Sequence, residues 1–546
     1  MKNAKRITIV ALGTSRKEYP YLPGYFYCTS SGIHYLNAVL RDTGFETTIV
    51  NQVSDNLLEE DLTGIIRNSN PEIILFNQFF TMRERLHAIV KELGENYIYG
   101  IGGHDATFHA LSLVEESDVV AAIAGTERRP VILHPKSKSL TKYYSGIDFI
   151  WLGEAENGIA DFLKSIDKQQ HPILAYNLDN RTRDLDTLPI LKHDDYTSES
   201  AFIVTSRGCM KEGCDFCTTP LYYRDGWRGR SIGHVEEELY NITKAGKTYL
   251  YIFDDNFFGL TDQSLERGAE IIGICRKLGI QCMLLSTVRQ VLCADQLGLL
   301  EKMSGTVTCV FIGVENLSSS ALHSLGKKTN YRENLLKNKQ AIDALVRCGI
   351  FPYLGYMNFQ PETTLDELKE SAKFLYETNM EASYFHYLCN QLNILEGTKI
   401  YNRYLNSGRA RKNELNGILE CEFNDKRVKN INSILNSLSD RSRKIDFFIN
   451  EIGNLIYANN LINSQEGLSY NNIRRTICDN NMRIYNEIIN NIEKENAVAA
   501  YINASDDYEI LYNESIISFK QLLSSINIKS NIFNDSMTLL NNISII

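Results

Sequence analysis

Residues 201–217 read AFIVTSRGCMKEGCDFC, and this stretch decides the predicted architecture. Its first residues form a short apolar run of the kind that becomes a buried strand. The remainder forms a loop that carries Cys209, Cys214 and Cys217 within nine residues. Three thiolates this close in sequence are able to converge on one metal centre. The stretch therefore predicts a strand that leads directly into a metal-binding loop.

The alternation of strand and helix continues after the cysteines. Further apolar runs lie at 248–253, 281–288, 306–314, 351–357 and 382–388. With the first strand they make six βα units, fewer than the eight that close a full barrel. We predict a partial (β/α)6 TIM-type barrel over residues 198–400, with active groups at the carboxyl ends of its strands.

A second alternation precedes the barrel. Strand patterns lie at 5–12, 45–51, 71–77 and 97–102, and helical patterns lie between them. Such a pattern predicts a parallel, doubly wound, Rossmann-like domain over residues 1–165. Ligands are expected at the carboxyl ends of its strands, in the loops at 13–29, 77–80 and 102–107.

Two further segments complete this α/β chain. Residues 166–197 are polar, contain Pro172 and Pro189, and predict a linker. Residues 401–546 are rich in asparagine and poor in glycine. Their helical periodicity predicts an all-helical C-terminal domain.

Composition limits the class of protein and its partners. Lys and Arg number 57 against 67 Asp and Glu, a net charge of −10 that disfavours non-specific nucleic-acid binding. No apolar run reaches the roughly 18 residues of a membrane span, and residues 1–6 lead into a strand without a signal-peptide pattern. We therefore expect a cytoplasmic protein without membrane or nucleic-acid partners. In a reducing compartment, clustered cysteines indicate metal or redox chemistry.

The cysteine loop has three possible interpretations. Structural zinc takes four protein ligands, and a fourth would have to come from a residue such as His234 because no second cysteine pair follows. A four-iron cluster held by three cysteines keeps one iron open for another ligand. The third interpretation is ordinary thiols. The ligand number favours the iron–sulfur cluster.

This loop resembles the one that follows the first barrel strand in radical S-adenosylmethionine (radical SAM) enzymes. Phe216, directly before the last cysteine, is shared with that family, although Cys209 and Cys214 are one residue further apart than in the family. The resemblance implies a [4Fe-4S] cluster on Cys209, Cys214 and Cys217. It also implies SAM on the open iron, with Phe216 near the adenine.

Polar motifs at successive strand ends extend the resemblance. They lie at 227–231 (WRGRS), 253–257 (FDDNF), 286–289 (STVR), 312–316 (IGVEN) and 355–363 (GYMNFQPET). The resemblance implies SAM contacts from Asp255, Asn256, Arg289 and Glu315, with the carboxylates near the ammonium group and Arg289 near the carboxylate. The alternative for Asp254 and Glu315 is that they cap loops.

The N-terminal domain resembles the cobalamin-binding domains that are fused to radical SAM barrels. The matching segments are 102–108 (GGHDATF), 147–156 (IDFIWLGEAE) and 185–189 (LDTLP). The resemblance implies a corrinoid against Gly102 and Gly103, with Thr107 as a polar contact. The Asp-x-His-x-x-Gly motif that supplies an axial histidine is absent, and an empty Rossmann-like domain is the alternative. His104 and His109 are candidate ligands or, otherwise, capping residues.

The resemblance implies reductive cleavage of SAM to a 5'-deoxyadenosyl radical that attacks an unactivated carbon of a peptide or natural product. With cobalamin the expected outcome is C-methylation. Without it, Cys389 at the end of the last predicted strand is a candidate hydrogen-atom donor for an epimerase or a rearranging enzyme, or else a buried packing residue. An external electron donor such as flavodoxin or ferredoxin is implied. A non-catalytic zinc-binding or cobalamin-binding regulator is the alternative from another class.

Overall fold

The computed structural model covers the two predicted strand–helix regions and most of the C-terminal helices. It describes residues 5–13, 31–53, 55, 57–114, 131–135, 137–176, 184–194, 200–209, 214–223, 226–327, 331–378, 385–413, 418–493 and 497–525. The predicted ligand loop at 13–29 lies outside these residues beyond Gly13, and so does the cysteine-loop segment 210–213.

The first sheet has seven strands and forms the centre of the doubly wound N-terminal domain. Its strands are β1 (Arg6–Ala11), β2 (Glu46–Asn51), β3 (Ile73–Asn77), β4 (Ile98–Gly102), β5 (Val131–Leu133), β6 (Phe149–Leu152) and β7 (Ile173–Tyr176). Their order is β2-β1-β3-β4-β6-β7-β5, and β5 alone runs antiparallel to its neighbour. The order reverses between β1 and β3, which is where such sheets bind ligands.

Helices cover both faces of this sheet, as its apolar strands require. They are α1 (Ser31–Asp42), α2 (Glu59–Asn68), α3 (Arg83–Leu93), α4 (His104–Ser112), α5 (Lys138–Tyr143) and α6 (Ile159–Ser165). Two separate apolar cores lie on the two faces. Strand β7 lies within the predicted linker at 166–197. Its apolar run, ILAY, is mostly buried and pairs with β6. The domain limits 1–165, 166–197, 198–400 and 401–546 stay predictions.

The second sheet includes the strand that precedes the cysteine loop. The strands of this region are β8 (Ser200–Ile203), β9 (Ser206–Arg207), β10 (Arg228–Gly229), β11 (Tyr249–Ile252), β12 (Gln281–Thr287), β13 (Val307–Glu315) and β14 (Phe351–Tyr356). Five of them form a parallel sheet in the order β14-β13-β12-β11-β8, and β9 and β10 form a short antiparallel ribbon. The carboxyl ends of the five parallel strands therefore share one edge.

The helices that connect these strands pack on the sheet. They are α7 (Thr219–Tyr222), α8 (Ile232–Lys244), α9 (Asp262–Lys277), α10 (Val288–Gln296), α11 (Leu299–Met303), α12 (Ser319–Ser324), α13 (Tyr331–Arg347), α14 (Leu365–Thr378) and α15 (Phe385–Cys389). The predicted sixth strand at 382–388 is wrong over its described part, because Phe385–Cys389 is helical. The carboxylate of Asp446 accepts hydrogen bonds from the backbone N–H groups of Phe385 (2.9 Å) and His386 (3.2 Å) and so caps this helix.

The C-terminal region is helical except for one hairpin. Its elements are α16 (Lys399–Asn406), β15 (Ala410–Lys412), β16 (Leu419–Cys421), α17 (Lys426–Ala458), α18 (Gln465–Glu493) and α19 (Ala497–Ser525). The prediction of an all-helical domain is therefore wrong at β15 and β16, which pair antiparallel. The three long helices share one apolar core with the second sheet, where Tyr457 meets Phe351 at 5.3 Å between ring centroids. Within the described residues we find no helix with the length and apolarity of a membrane span.

Candidate functional site between the two sheets

A cavity of about 500 Å³ lies between the two sheets. Asn77, Gly102 and Gly153 contribute to one wall, at the carboxyl ends of β3, β4 and β6. Arg207 and Asp255 contribute to the opposite wall, beyond the carboxyl ends of β8 and β11. Both parallel sheets therefore turn their ligand-binding edges toward the same space.

The cysteine loop lies beside the barrel wall of this cavity. Cys209, Cys214 and Cys217 are partly exposed and are not in disulfides, and the backbone N–H of Cys217 donates to the carbonyl of Cys214 at 3.1 Å. Asp215 anchors the loop, because its N–H donates to the Leu325 carbonyl at 2.9 Å and its carbonyl accepts from the N–H of Ile400 at 3.1 Å. The loop is thus fixed between α12 and α16.

The surroundings of the thiols favour their protonated form in the absence of a metal. Burial raises the pKa of Cys214 to about 11, and Lys327 opposes this while the other two cysteines add to it. Burial also raises the pKa of Cys217, with the charges of Asp255 and Glu315 in the same direction. Thiols of raised pKa release their protons when a metal binds. The charges of Cys209 and Cys217 both act on Cys214, so these two residues lie near it. Three cysteines are the donor set that a cluster with one open iron requires.

His234, the proposed fourth ligand of a zinc site, contacts other side chains. Its Nδ1 accepts a hydrogen bond from Nε of Arg230 at 2.9 Å and lies 3.6 Å from the carboxylate of Asp186. It belongs to a network in which Arg230 pairs with the buried Glu238 at 2.7 Å. None of these described contacts is to a cysteine of the loop.

Asp255 and Glu315 flank the cysteines, as expected for residues that contact SAM. Asp255 lines the cavity and accepts hydrogen bonds from the N–H of Gly208 (3.0 Å) and the hydroxyl of Thr219 (2.9 Å). Burial raises its pKa, since a buried carboxylate disfavours its charged form. Glu315 ends β13 with φ of +66° and pairs with Lys327 at 3.0 Å. The SAM-binding role of both residues stays a prediction.

Asp255 is the only predicted SAM residue among the described residues that line the cavity, since Glu315, Asn256, Arg289 and Phe216 are not among them. Asn256 is fully buried, and its Nδ2 donates to the carbonyl of Gly259 at 2.9 Å, which supports the loop after β11. Arg289 is exposed in the first turn of α10. Phe216 packs against an apolar cluster that contains Leu325. Asp254 accepts hydrogen bonds from residues 205 and 206, which agrees with its alternative role in fixing a loop.

Gly102, Gly103 and Gly153, at the ends of β4 and β6, form a part of the cavity wall without side chains, here called the glycine wall. A Cβ added to Gly102 would meet no atom closer than 3.7 Å, and one added to Gly153 would meet none within 4 Å. Gly103 has φ of +102°, which L side chains rarely adopt. Thr107 donates to the carbonyl of Gly103 (2.9 Å) and accepts from the N–H of Gly153 (3.0 Å), so it braces this wall rather than facing the cavity. The wall fits the flat face of a corrin ring.

Comparison with known proteins is consistent with this arrangement. The chain is 22% identical over 358 residues to an uncharacterized methyltransferase of Pyrococcus horikoshii, covering 65% of this chain and 74% of that protein. It is 29% identical over 195 residues to 4'-phospho-dehydrooxetanocin synthase of Priestia megaterium, covering 32% of this chain and 25% of that protein. No protein-family profile matches.

A solved structure extends the likeness to nearly the whole chain. OxsB, described as a cobalamin-dependent S-adenosylmethionine radical enzyme with aqua-cobalamin bound, superimposes with a TM-score of 0.61 at 14% identity. The match covers 98% of this chain and 83% of that chain. The chain has the fold of a cobalamin-dependent radical SAM enzyme.

The predicted resemblance to radical SAM enzymes with an N-terminal cobalamin-binding-like domain is confirmed by these relatives, which are enzymes. The α/β class of the fold is confirmed in its coarse form, as parallel sheets with many helices. OxsB holds cobalamin, as the resemblance implied for this fold. The predicted six-unit partial barrel is not confirmed, since the second sheet has five parallel strands among the described residues.

Ion pairs that the sequence did not predict connect the first sheet to the second across the cavity. Arg207, after β8, pairs with Glu154 and Glu156, which follow β6, and Arg228 pairs with Glu154 at 3.0 Å. Burial opposes the charge of Glu156, but the guanidinium of Arg207 outweighs burial and lowers the pKa of that carboxyl. The acidic GEAE segment and the basic WRGR segment were visible in the sequence. Their pairing across the cavity was not.

A second missed group connects α4 to the segment before α16. The buried carboxylate of Glu396 meets Arg83 (2.9 Å), Nδ1 of His109 (2.6 Å) and Lys412 (2.6 Å). Arg83 also pairs with Asp105. Burial opposes the charge of Glu396, but His109 and Arg83 together lower its pKa to about 2. Nδ1 of His109 thus contacts Glu396 and Arg83, and burial lowers the pKa of the His109 ring. Its role as a cofactor ligand stays a prediction.

Cys389 lies away from the cavity in this fold. It ends the short helix α15 and packs near α17, and the residues described as lining the cavity do not include it. Its thiol donates to the carbonyl of His386 at 3.4 Å, and burial raises its pKa to about 12. These contacts agree with the alternative that Cys389 is a packing residue. Its role as a hydrogen-atom donor stays a prediction.

His104 makes the stability of the interface between the halves pH-dependent. Its ring stacks on Tyr222 at 3.6 Å between centroids, and burial lowers its pKa from 6.5 to about 4. In this pH window the unfolded chain binds a proton at His104 that the folded chain does not bind. The free energy of unfolding should therefore fall as pH decreases from 6.5 to 4.

The variant His104→Phe keeps an aromatic ring against Tyr222 and removes the titration. Urea unfolding at several pH values should show a smaller fall for this variant than for the natural chain, and the exposed His171→Phe should show no such change. An unchanged pH profile for His104→Phe would contradict the assignment.

Proposed function

We propose that this chain is a radical SAM enzyme that methylates an unactivated carbon of a peptide or small-molecule substrate with the help of cobalamin. One observation carries the proposal: a single cavity is bounded by the glycine wall of one parallel sheet and by the cysteine-bearing edge of the other. Such a cavity brings two cofactors and a substrate within reach of one another. A corrinoid protein that lacks radical chemistry would not need the cysteine loop at this edge.

The residues of this chain would hold the cofactors and position the substrate. Cys209, Cys214 and Cys217 would ligate a [4Fe-4S] cluster, and Asp255 and Glu315 would attract the cationic groups of SAM. When bound, the reduced cluster with SAM supplies a 5'-deoxyadenosyl radical, and the corrinoid supplies a methyl group. The protein contributes orientation and the exclusion of water.

The cavity wall has the composition expected for this task. Aromatic side chains cover much of it, and they are Phe76, Phe79, Phe80, Phe108, Phe149, Trp151, Tyr222, Tyr223 and Phe253. Arg207, which also lines the cavity, is neutralised by two carboxylates, so its charge stabilises the interface between the halves. A wall of this kind shields reactive intermediates from water while a few carboxylates orient the ligand.

The test is anaerobic reconstitution with iron and sulfide in the presence of hydroxocobalamin. A brown protein that forms 5'-deoxyadenosine from SAM and dithionite and retains a corrinoid absorbance spectrum supports the proposal. A brown protein that cleaves SAM but retains no corrinoid would instead favour the cobalamin-independent epimerase or rearranging enzyme. A colourless protein that binds zinc would favour a non-catalytic regulator and overturn the proposal.

An external one-electron donor, such as flavodoxin or ferredoxin, is part of this proposed function. Each SAM cleavage consumes one electron, and the aromatic and acidic wall of the cavity offers no internal source of it. The donor must therefore reach the cluster from the protein surface.

A further inference from the structure

We propose that the exposed face of α16 is the docking surface for a small acidic protein that delivers this electron. The inference rests on the cluster assigned above and adds the place and the chemistry of the partner. In the transfer, the carrier is oxidised by one electron and the cluster is reduced by one electron. No bond forms or breaks between the two proteins.

The basic character of this region is evident in the sequence. Between Glu396 and Glu414 the chain has no acidic residue and carries five basic ones. Lys412 pairs with Glu396 and Arg409 pairs with Glu362. The exposed basic side chains outside these two pairs are Lys399, Arg403 and Arg411. The chain as a whole has a net charge of −10. A local excess of positive charge on an acidic protein attracts an acidic partner to one face while the rest of the surface repels it.

The start of α16 contacts the cysteine loop directly. The N–H of Ile400 donates to the carbonyl of Asp215 at 3.1 Å, and Asp215 is the neighbour of Cys214 in the chain. Nζ of Lys399 lies 3.5 Å from the carboxylate of Asp215, and the Lys399 side chain is 73% exposed. A partner bound at this face would therefore sit over the loop that holds the cluster.

Arg403 supplies the least compensated charge on this face. Its guanidinium donates to the carbonyl and to the hydroxyl of Ser324, each at 2.8 Å, and lies over the Tyr404 ring. Among the described residues, no carboxylate lies within 4 Å of it. Lys399 lies one turn before Arg403 along α16, so both cations lie on one side of the helix. Exposed basic residues on one side of a helix suit a transient complex with an acidic carrier.

The chain offers a matched control surface. Lys369, Lys373 and Arg483 line a groove between α14 and α18, where Asp479 also lies. This groove is similarly basic, but α14 and α18 make none of the described hydrogen bonds to the cysteine loop. If charge alone determined reduction, both surfaces would matter equally.

The experiment compares two double variants, Lys399→Gln with Arg403→Gln and, as the control, Lys369→Gln with Lys373→Gln. Each reconstituted protein is mixed anaerobically with flavodoxin hydroquinone at low salt, and bleaching of the cluster absorbance is followed in a stopped-flow instrument. We expect reduction to be about tenfold slower or more in the α16 variant, with a weaker dependence on salt, and unchanged in the control. Dithionite should reduce all three proteins at equal rates.

Equal rates with flavodoxin in the two double variants would overturn the docking surface. Failure of dithionite to reduce even the natural chain would overturn the cluster, and the docking surface with it. Iron content shows whether Lys399→Gln has disturbed the loop. If it has, the double variant Arg403→Gln with Arg411→Gln is used instead, because it leaves the pair of Lys399 and Asp215 intact. The same comparison of reduction rates then tests the docking surface.

Discussion

Cys214→Ala is expected to lose the iron–sulfur cluster and to abolish formation of 5'-deoxyadenosine from SAM. The loss in rate should be at least about 10³-fold, because the cofactor carries the difficult chemistry and the protein cannot replace it. Cys214 lies at the centre of the loop, and its thiol interacts with Cys209, Cys217 and Lys327. Iron analysis and chromatographic detection of 5'-deoxyadenosine measure the two effects separately.

Cys421→Ala is the matched control for this prediction. Cys421 is also a partly buried free cysteine, but it lies in β16 rather than in the loop. This variant should retain its iron and its rate of SAM cleavage. A Cys214→Ala protein that kept both would contradict the assignment of the ligands.

Arg83→Met is expected to destabilise the folded chain by about 3–5 kcal/mol. The substitution preserves most of the side-chain volume but leaves two carboxylates, those of Asp105 and Glu396, without their shared buried cation. Breaking a buried ion pair from one side is costly because the remaining charge stays desolvated. Urea unfolding followed by circular dichroism measures the loss.

Arg409→Met tests whether burial is the cause. Arg409 pairs with Glu362 at 3.0 Å, but its side chain is 44% exposed. Removal of an exposed pair should cost less than about 1 kcal/mol. Equal destabilisation by the two substitutions would contradict the account of the buried group.

Local periodicity was sufficient to predict most of the strands. The run at 281–288 appears in the structure as Gln281–Thr287, and the run at 306–314 appears as Val307–Glu315. Such runs are apolar on both faces because helices cover a parallel sheet on both sides. The pattern at 382–388 failed because a short apolar run fits either a strand or a helix. The carboxylate of Asp446, some 60 residues away, caps Phe385–Cys389 as a helix.

The candidate site was likewise only partly predictable from the sequence. The cysteine loop and Asp255 are visible because each lies in one short stretch directly after a strand. The contact between Arg83 and Glu396 joins residues 313 positions apart, and no local pattern reveals it. Arg289 follows β12 and its side chain is exposed in the structure, so its predicted contact with SAM stays a prediction.

Electron paramagnetic resonance of the reconstituted, dithionite-reduced protein tests the central claim most directly. The account predicts about four irons per chain and the signal of a reduced [4Fe-4S] cluster, with g-values that shift when SAM binds the open iron. The signal should be absent from Cys214→Ala. A reconstituted natural chain that held zinc, or whose cluster signal did not respond to SAM, would contradict the claim.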